Sequence, residues 1–377
     1  MTYLSSTSST AGSLRQASPD PTEDTIRPGD PKTFFHIKDL VREAGLTGRR
    51  RGYYLITIGV LTLALGGITT GVILLGDSWL QLLMAAALGV VLTQFAFLAH
   101  EAAHRQILSS GKANDKLGRF LANAVVGISY QWWLNKHNRH HATPNTIGKD
   151  PDIEWDTISF QPVDAQRQTG FLRWITERQG YLFFPLLTLE GLNLHYQSIK
   201  YLFVAPRVKR RWRELTTIAA RIALYLGVLF IFLPWGIALA FVGVQLAVFG
   251  VYMGGSFAPN HKGMPMVPKT ARIDFFTRQV MTSRNVMARS RWGNHVLSVV
   301  YGGLNYQVEH HLFPSMPRPN LHAVSQIVRK YCAEHQIPYT VATVRESYGS
   351  VIRYLNKVGL SARDPFECPM ISSLRYS

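Results

Sequence analysis

The chain has 377 residues, 47% hydrophobic and 17% charged, and its 40 Lys and Arg against 23 Asp and Glu give a formal charge of +17. Its two cysteines, Cys332 and Cys368, lack CxxC partners, which excludes a disulfide framework, thiolate zinc sites and iron–sulfur clusters. No zinc-finger or RNA-binding signature accompanies the basic charge, so it reads as the cationic side of a membrane protein and not as a nucleic-acid surface.

In chain order, residues 1–31 are rich in Ser, Thr, Pro and Asp with no apolar core, and read as a disordered tail, not a signal peptide. Residues 32–52 read as an interfacial helix and linker, with the apolar stripe Ile37, Leu40, Val41 and Ala44 at helical spacing. The first span, residues 54–75, is uncharged and reaches roughly 33 Å as a helix, enough to cross a bilayer core. The second, residues 78–98, follows after Gly76–Asp77. Phe120 to Trp133 and Tyr181 to Leu194 are apolar but short, and are expected to be interfacial or re-entrant. The third span, residues 216–233, contains Arg221 near its start, placed to snorkel. The fourth, residues 235–257, follows Pro234, and a C-terminal tail is expected over 361–377.

Charge sets the expected orientation. Arg49, Arg50 and Arg51 precede the first span, and Arg207, Lys209, Arg210, Arg211 and Arg213 precede the third, whereas the two hairpin turns carry only Asp77. The positive-inside rule then places both termini and the middle segment in the cytoplasm. The expected architecture is an all-α integral membrane protein, with four spans in two hairpins inside a domain over 53–360.

Of thirteen histidines, eight lie in or beside four short stretches next to the spans. The first stretch is His100-Glu-Ala-Ala-His104, whose i, i+4 pair shares one helix face. The second is His137-Asn-Arg-His140-His141, and the third is Gln307-Val-Glu-His310-His311. Adjacent histidines diverge by roughly 100° about a helix axis, so each adjacent pair suits two ions better than one. His261 stands alone just past the fourth span. About eight imidazoles exceed the coordination of one ion, so the site is expected to be dinuclear, in a metal that accepts imidazole. His36, His322 and His335 read as ordinary structural or surface histidines.

These three boxes, their order and their position beside two hairpins resemble the membrane fatty-acid desaturases, in the branch with Gln opening the third box. The resemblance covers roughly residues 53–331. It implies two iron ions held in a cytosolic helical cap by His100, His104, His137, His140, His141, His261, His310 and His311. Gln307 stands where other branches carry a histidine. It, Glu101, Glu309 and His195 are candidates for supporting positions, the glutamates as acceptors that orient imidazoles. The reaction implied is dioxygen-dependent insertion of a cis double bond into a long-chain acyl group. No GxGxxG or HPGG segment is present, so two electrons are expected from a separate ferredoxin- or cytochrome b5-type donor with an NAD(P)H reductase.

Three other readings of the same residues stand beside this one. A hydroxylase or ketolase shares the boxes. A membrane zinc metalloprotease fits His100-Glu-Ala-Ala-His104 literally, with Glu101 as base. A metal-binding or transport protein would want polar groups at mid-membrane depth. Lys136, Lys262 and Arg318 lie near box residues and read as interfacial cations, with an anionic head group as the other possibility.

Overall fold

A computed structural model of the chain describes residues 32–154 and 157–363, so both expected tails, 1–31 and 361–377 beyond Arg363, lie outside the described residues, as does Cys368. Helix α1 (Lys32–Glu43) is amphipathic as expected, but its stripe does not face lipid. Ile37 and Val41 are fully buried in a cluster with Val324, Val328 and Phe276, because α1 packs on two later helices of the polar part of the chain.

Among the described residues, four helices are long and apolar enough to cross a membrane: α2 (Arg51–Leu75), α3 (Gln81–Ala103), and the later pair α9 (Arg211–Phe232) and α10 (Trp235–His261). Gln81 closes the turn between the first two, its amide donating to the carbonyls of Val72 and Gly76 at 2.8 and 2.9 Å. The Val72 carbonyl is one that the end of α2 leaves without a helical partner, and that of Gly76 also accepts from the Ser78 N–H. The helices differ from the expected spans at their polar ends. Helix α3 does not stop at residue 98 but runs on through His100, and α10 does not stop at residue 257 but runs on to His261. The apolar run and the metal-type residues are therefore one rigid element.

Between the two pairs lie α4 (Gly111–Arg119), a π-helical turn Phe120–Val126, α5 (Tyr130–Ala142), α6 (Pro162–Arg167), α7 (Gly170–Thr176) and the 26-residue α8 (Gln179–Val204). The apolar stretch 120–133 is thus two elements, broken at Gly127, which takes a positive φ of 94°. Arg221 does not snorkel. Its Nε donates to the Val125 carbonyl at 3.2 Å and its guanidinium lies 4.9 Å from the Tyr225 ring centre, so it satisfies backbone that the π turn leaves exposed. Helix α8 extends well beyond the expected 181–194 and lies antiparallel along α10, with Leu187 against Gly254 and Gly191 against Gly250. A side chain on Gly191 or Gly250 would collide with backbone of the facing helix, so the close approach requires glycine.

After α10 come α11 (Phe275–Thr282), α12 (Arg291–Val300), α13 (Gln307–Leu312), α14 (Leu321–Glu334) and α15 (Val344–Leu360). The chain is not purely helical: β1 (Arg284–Val286) pairs in parallel with β2 (Thr340–Ala342), Asn285 opposite Val341. Beneath α13, Arg318 forms a buried bidentate ion pair with Glu101 of α3, at 2.7 and 2.6 Å, and its backbone N–H donates to the Tyr54 hydroxyl of α2. Removing one partner of such a buried pair costs about 3–5 kcal/mol, because the other charge stays unpaired. The pair ties the first box to the segment that follows the third.

Candidate metal centre

All eight box and post-span histidines come together, in two groups. His100, His104, His137, His141 and His310 form one, and His140, His261 and His311 the other, with the ligating nitrogens in each within 4.8 Å of one another. The elements explain the division. His100 and His104 stand at the end of α3, and α5, started by Ser129 accepting from the Trp132 N–H, carries His137, His140 and His141. Each adjacent pair, His140–His141 on α5 and His310–His311 on α13, sends one member to each group.

In the larger group His137 is central. Its Nε2 lies 3.0 Å from Nε2 of His100, 2.9 Å from Nε2 of His104 and 2.9 Å from Nε2 of His141. Nitrogens bound about 2.0–2.1 Å from a common ion would sit about 2.9–3.4 Å apart, so these spacings fit shared ligation. Burial, then the neighbouring imidazoles, holds the pKa of His137, His141, His310 and His311 well below the ordinary histidine value, and burial holds His104 down to about 3. They are neutral at physiological pH, the form in which imidazole binds a metal. Buried Nδ1 of His100 and His141, and Nε2 of His310 and His311, have no hydrogen-bond partner in the protein. Cations at the two groups would satisfy Nε2 of His310 and of His311, and the residues present fit them.

The smaller group is held from behind. His140 Nδ1 donates to Asp150, 3.0 Å from both carboxylate oxygens, and lies 3.3 Å from Asp152. His261 Nδ1 donates to the Thr282 carbonyl at 2.9 Å, and His311 Nδ1 to Gln279 Oε1 at 2.8 Å. Each bond fixes a tautomer whose Nε2 is bare, and His140 and His261 bring theirs within 3.3 Å. Burial opposes charge on His140, but Asp152 and Asp150 together outweigh it and raise its pKa.

Gln307 sits at this second group, its side-chain amide nitrogen 2.9 Å from His261 Nε2 and its oxygen accepting from Asn260 at 3.2 Å. The two glutamates do not reach imidazoles. Glu101 is taken by Arg318, a residue too buried to be an interfacial cation. Glu309 accepts from Asn285 and Tyr339 at 2.7 Å each, and burial, offset by these bonds, pushes its pKa up to about 7. His195 lies away from both groups, its Nδ1 on the Gly191 carbonyl and its Nε2 facing the Val126 carbonyl. His322 and His335 keep to Tyr306 and to the Tyr331 carbonyl, as expected of structural histidines. Asp150, Gln279 and Thr282 escaped the sequence reading, since a loop aspartate and two unremarkable helix residues carry no pattern. Only the ten-residue spacing of Asp150 from His140 was available as a hint.

Residues 77–343 match the family described as fatty acid desaturase. The chain belongs to that family. Similar curated proteins include a Delta(8)-fatty-acid desaturase of Helianthus annuus, 29% identical over 345 residues, which cover 85% of this chain and 72% of the relative. The Delta(6)-fatty-acid desaturase fat-3 of Caenorhabditis elegans is 28% identical over 351 residues, 87% of this chain and 75% of the relative. The Delta(5) fatty acid desaturase fat-4 of the same organism is 30% identical over 274 residues, 68% of this chain and 59% of the relative.

In this desaturase a cavity of about 630 Å³ adjoins both histidine groups, touching His100, His137, His140 and His261. Its wall near the histidines is aromatic. Trp133 stacks on His137 with ring centres 4.2 Å apart, and Phe257 lies 6.4 Å from His100. Apolar side chains of α3, α8 and α10 and polar residues of α5, α8 and the 150–154 turn complete the lining.

Proposed function

We propose that this membrane fatty acid desaturase inserts a cis double bond into a long-chain acyl group at two iron ions, one held by His100, His104, His137, His141 and His310, the other by His140, His261 and His311. The convergence of eight imidazoles in two groups beside one cavity of about 630 Å³ carries this reading. An alkyl C–H is not acidic enough for a side-chain base, and the iron pair, when bound, supplies dioxygen activation for removing hydrogen from carbon. The balance is one dioxygen, two electrons and two protons consumed, a –CH2–CH2– pair becoming –CH=CH–, and two waters released.

The residues present support this in definable ways. Asp150, Gln279 and the Thr282 carbonyl keep protons on the Nδ1 atoms of His140, His311 and His261, which leaves each Nε2 for metal. Trp133 and Phe257 present an apolar surface where an alkyl chain would pass the histidines, and they keep bulk water from that wall. Glu101 is locked to Arg318, so it is not free to act as the base of a zinc protease. Among the described residues of the spans, Arg221 is bound to backbone, Tyr225 donates to Gln245 and Gln94 donates to the Tyr252 hydroxyl, so these polar groups are engaged within the protein, which speaks against a transport path.

The topology follows from charge: four spans in two hairpins, both termini and the histidine cap on the cytoplasmic side. His104 and His141 are the two site histidines that are only half-buried, beside exposed Arg105 and Arg139. A separate acidic donor of ferredoxin or cytochrome b5 type, served by an NAD(P)H reductase, would deliver electrons at that edge. Expression in cells unable to make unsaturated fatty acids, with gas chromatography–mass spectrometry of their lipids, tests the reading. New double bonds that vanish in His310→Ala are expected. Hydroxylated chains in place of double bonds would assign the chain to hydroxylation.

A further inference from the structure

The cavity has an opening whose position and charge bear on the molecule that carries the acyl chain. Leu189 and Tyr196 of α8 line it and are also 60% and 57% exposed, so the cavity reaches the surface along this helix. They belong to an exposed apolar stripe that includes Tyr181, Leu192 and Phe203, at spacings that keep one helix face. Such a stripe beside a membrane span is covered by lipid, not water.

Helix α10 fixes the level of the opening. With 27 residues it is roughly 40 Å long, against a hydrocarbon core of about 30 Å. Exposed Trp235 at its start anchors one boundary, and the other then falls about 20 residues on, near Gly254 and Gly255. Leu189 lies between Leu187, which touches Gly254, and Gly191, which touches Gly250. The opening therefore looks sideways at the depth where ester groups meet acyl chains.

The polar lining is suited to such a group and not to a polyphosphate. Glu190, Asn193 and Gln197 recur at i, i+3 and i+7 on the cavity face of α8, Asn193 donating to Glu190 at 3.0 Å. Two lysines line the cavity among the described residues, and both are committed to Asp152. Lys136 pairs with its carboxylate at 2.9 Å, and Lys262 donates to its carbonyl at 2.7 Å while lying 3.9 Å from the Phe160 ring centre. Three carboxylates, Asp152, Glu154 and Glu190, also line the cavity, and Glu154 is paired with Arg139 at 2.9 Å. Among the described residues the two lining ammonium groups are matched by Asp152 and Glu190, which leaves no surplus cation for several phosphates in a chain of charge +17.

Resting on the desaturase reading, we infer that the substrate is the acyl chain of a membrane glycerophospholipid, admitted sideways beside Leu189 and Tyr196 with its ester end on the Glu190–Asn193–Gln197 stripe, and not an acyl-coenzyme A thioester. Iron-loaded full-length protein in membranes of a host that supplies the electron donor provides the test. It is offered, separately, phosphatidylcholine carrying one isotopically labelled stearoyl chain and the same labelled chain as its coenzyme A thioester. Mass spectrometry of intact molecules at early times shows on which carrier hydrogen is lost. Labelled phospholipid should be desaturated at least about tenfold faster, and Asn193→Leu should raise its apparent KM by about tenfold, the worth of one hydrogen bond, with kcat and iron content held. Faster loss on the intact thioester overturns the inference, and so does an Asn193→Leu variant whose KM is unchanged. A double bond on neither carrier overturns the desaturase reading, and the inference falls with it.

Discussion

The two histidine groups solve one problem in opposite ways. The group of five is rich in imidazoles and poor in support: buried Nδ1 of His100 and His141 meet no protein partner. The group of three is poor in ligands, and each member is tied from behind, to Asp150, Thr282 or Gln279. Where five imidazoles converge, mutual packing around His137 sets the geometry. Where three must suffice, each ring has to be aimed in advance, and a carboxylate behind one ring also raises its basicity. The difference teaches that ligand number and outer support trade against each other inside one centre.

Removing the hub should produce the largest effect. His137→Ala takes away the nitrogen closest to three others, so iron should fall from about two to about one per chain, with desaturation lost. Iron analysis of the purified variant, with circular dichroism to establish folding, checks this. Two irons retained would mean that packing around His137 is not what assembles the larger group.

Next in size is the support of the smaller group. Asp150→Asn keeps the shape but removes the charge behind His140, and it should weaken iron there by about 10–100-fold, as loss of an outer-shell partner does. During chelator titration the variant should then release its first iron from the three-histidine group. Mössbauer spectra of 57Fe-loaded protein would show the signal of that iron fading first. Simultaneous loss of both signals would show that the two groups share their support.

The clustered histidines were legible in the sequence and their hydrogen-bond partners were hidden, for a physical reason. Spans announce themselves by composition, and boxes by helical spacing, so α2, α3, α9, α10 and the eight histidines could be found. The expected spans 78–98 and 235–257 mark the apolar runs, and α3 and α10 continue past them because a helix continues as long as its backbone bonds and packing do. Supports obey no periodicity. Asp150 meets His140 across a turn, and Gln279 meets His311 from 32 residues away. Glu101 and Glu309 were expected behind imidazoles because they sit inside boxes, yet on a helix adjacent residues point about 100° apart, so a box glutamate faces away from its histidine. The same rule that correctly split His140 from His141 thus turns Glu101 toward Arg318 and Glu309 toward Asn285 and Tyr339.

The smallest expected effect is the most discriminating, because Gln307 lies where the smaller group is short of ligands. Its amide is 2.9 Å from His261 Nε2, the atom proposed to bind metal, so with iron in place that contact would give way. What remains is Asn260 and whatever occupies the neighbouring coordination position. If Gln307 reaches iron only through a water, Gln307→Ala should retain about two irons per chain and lose activity by about tenfold or less, the scale of one hydrogen bond. Loss of one iron equivalent would instead make Gln307 a direct fourth ligand, and the contrast between a crowded group and a sparse, well-supported one would shrink accordingly. Gln307→His separates the cases further. An added imidazole that raises iron retention under chelator while slowing turnover would mean that the sparse group needs its open position for the reaction.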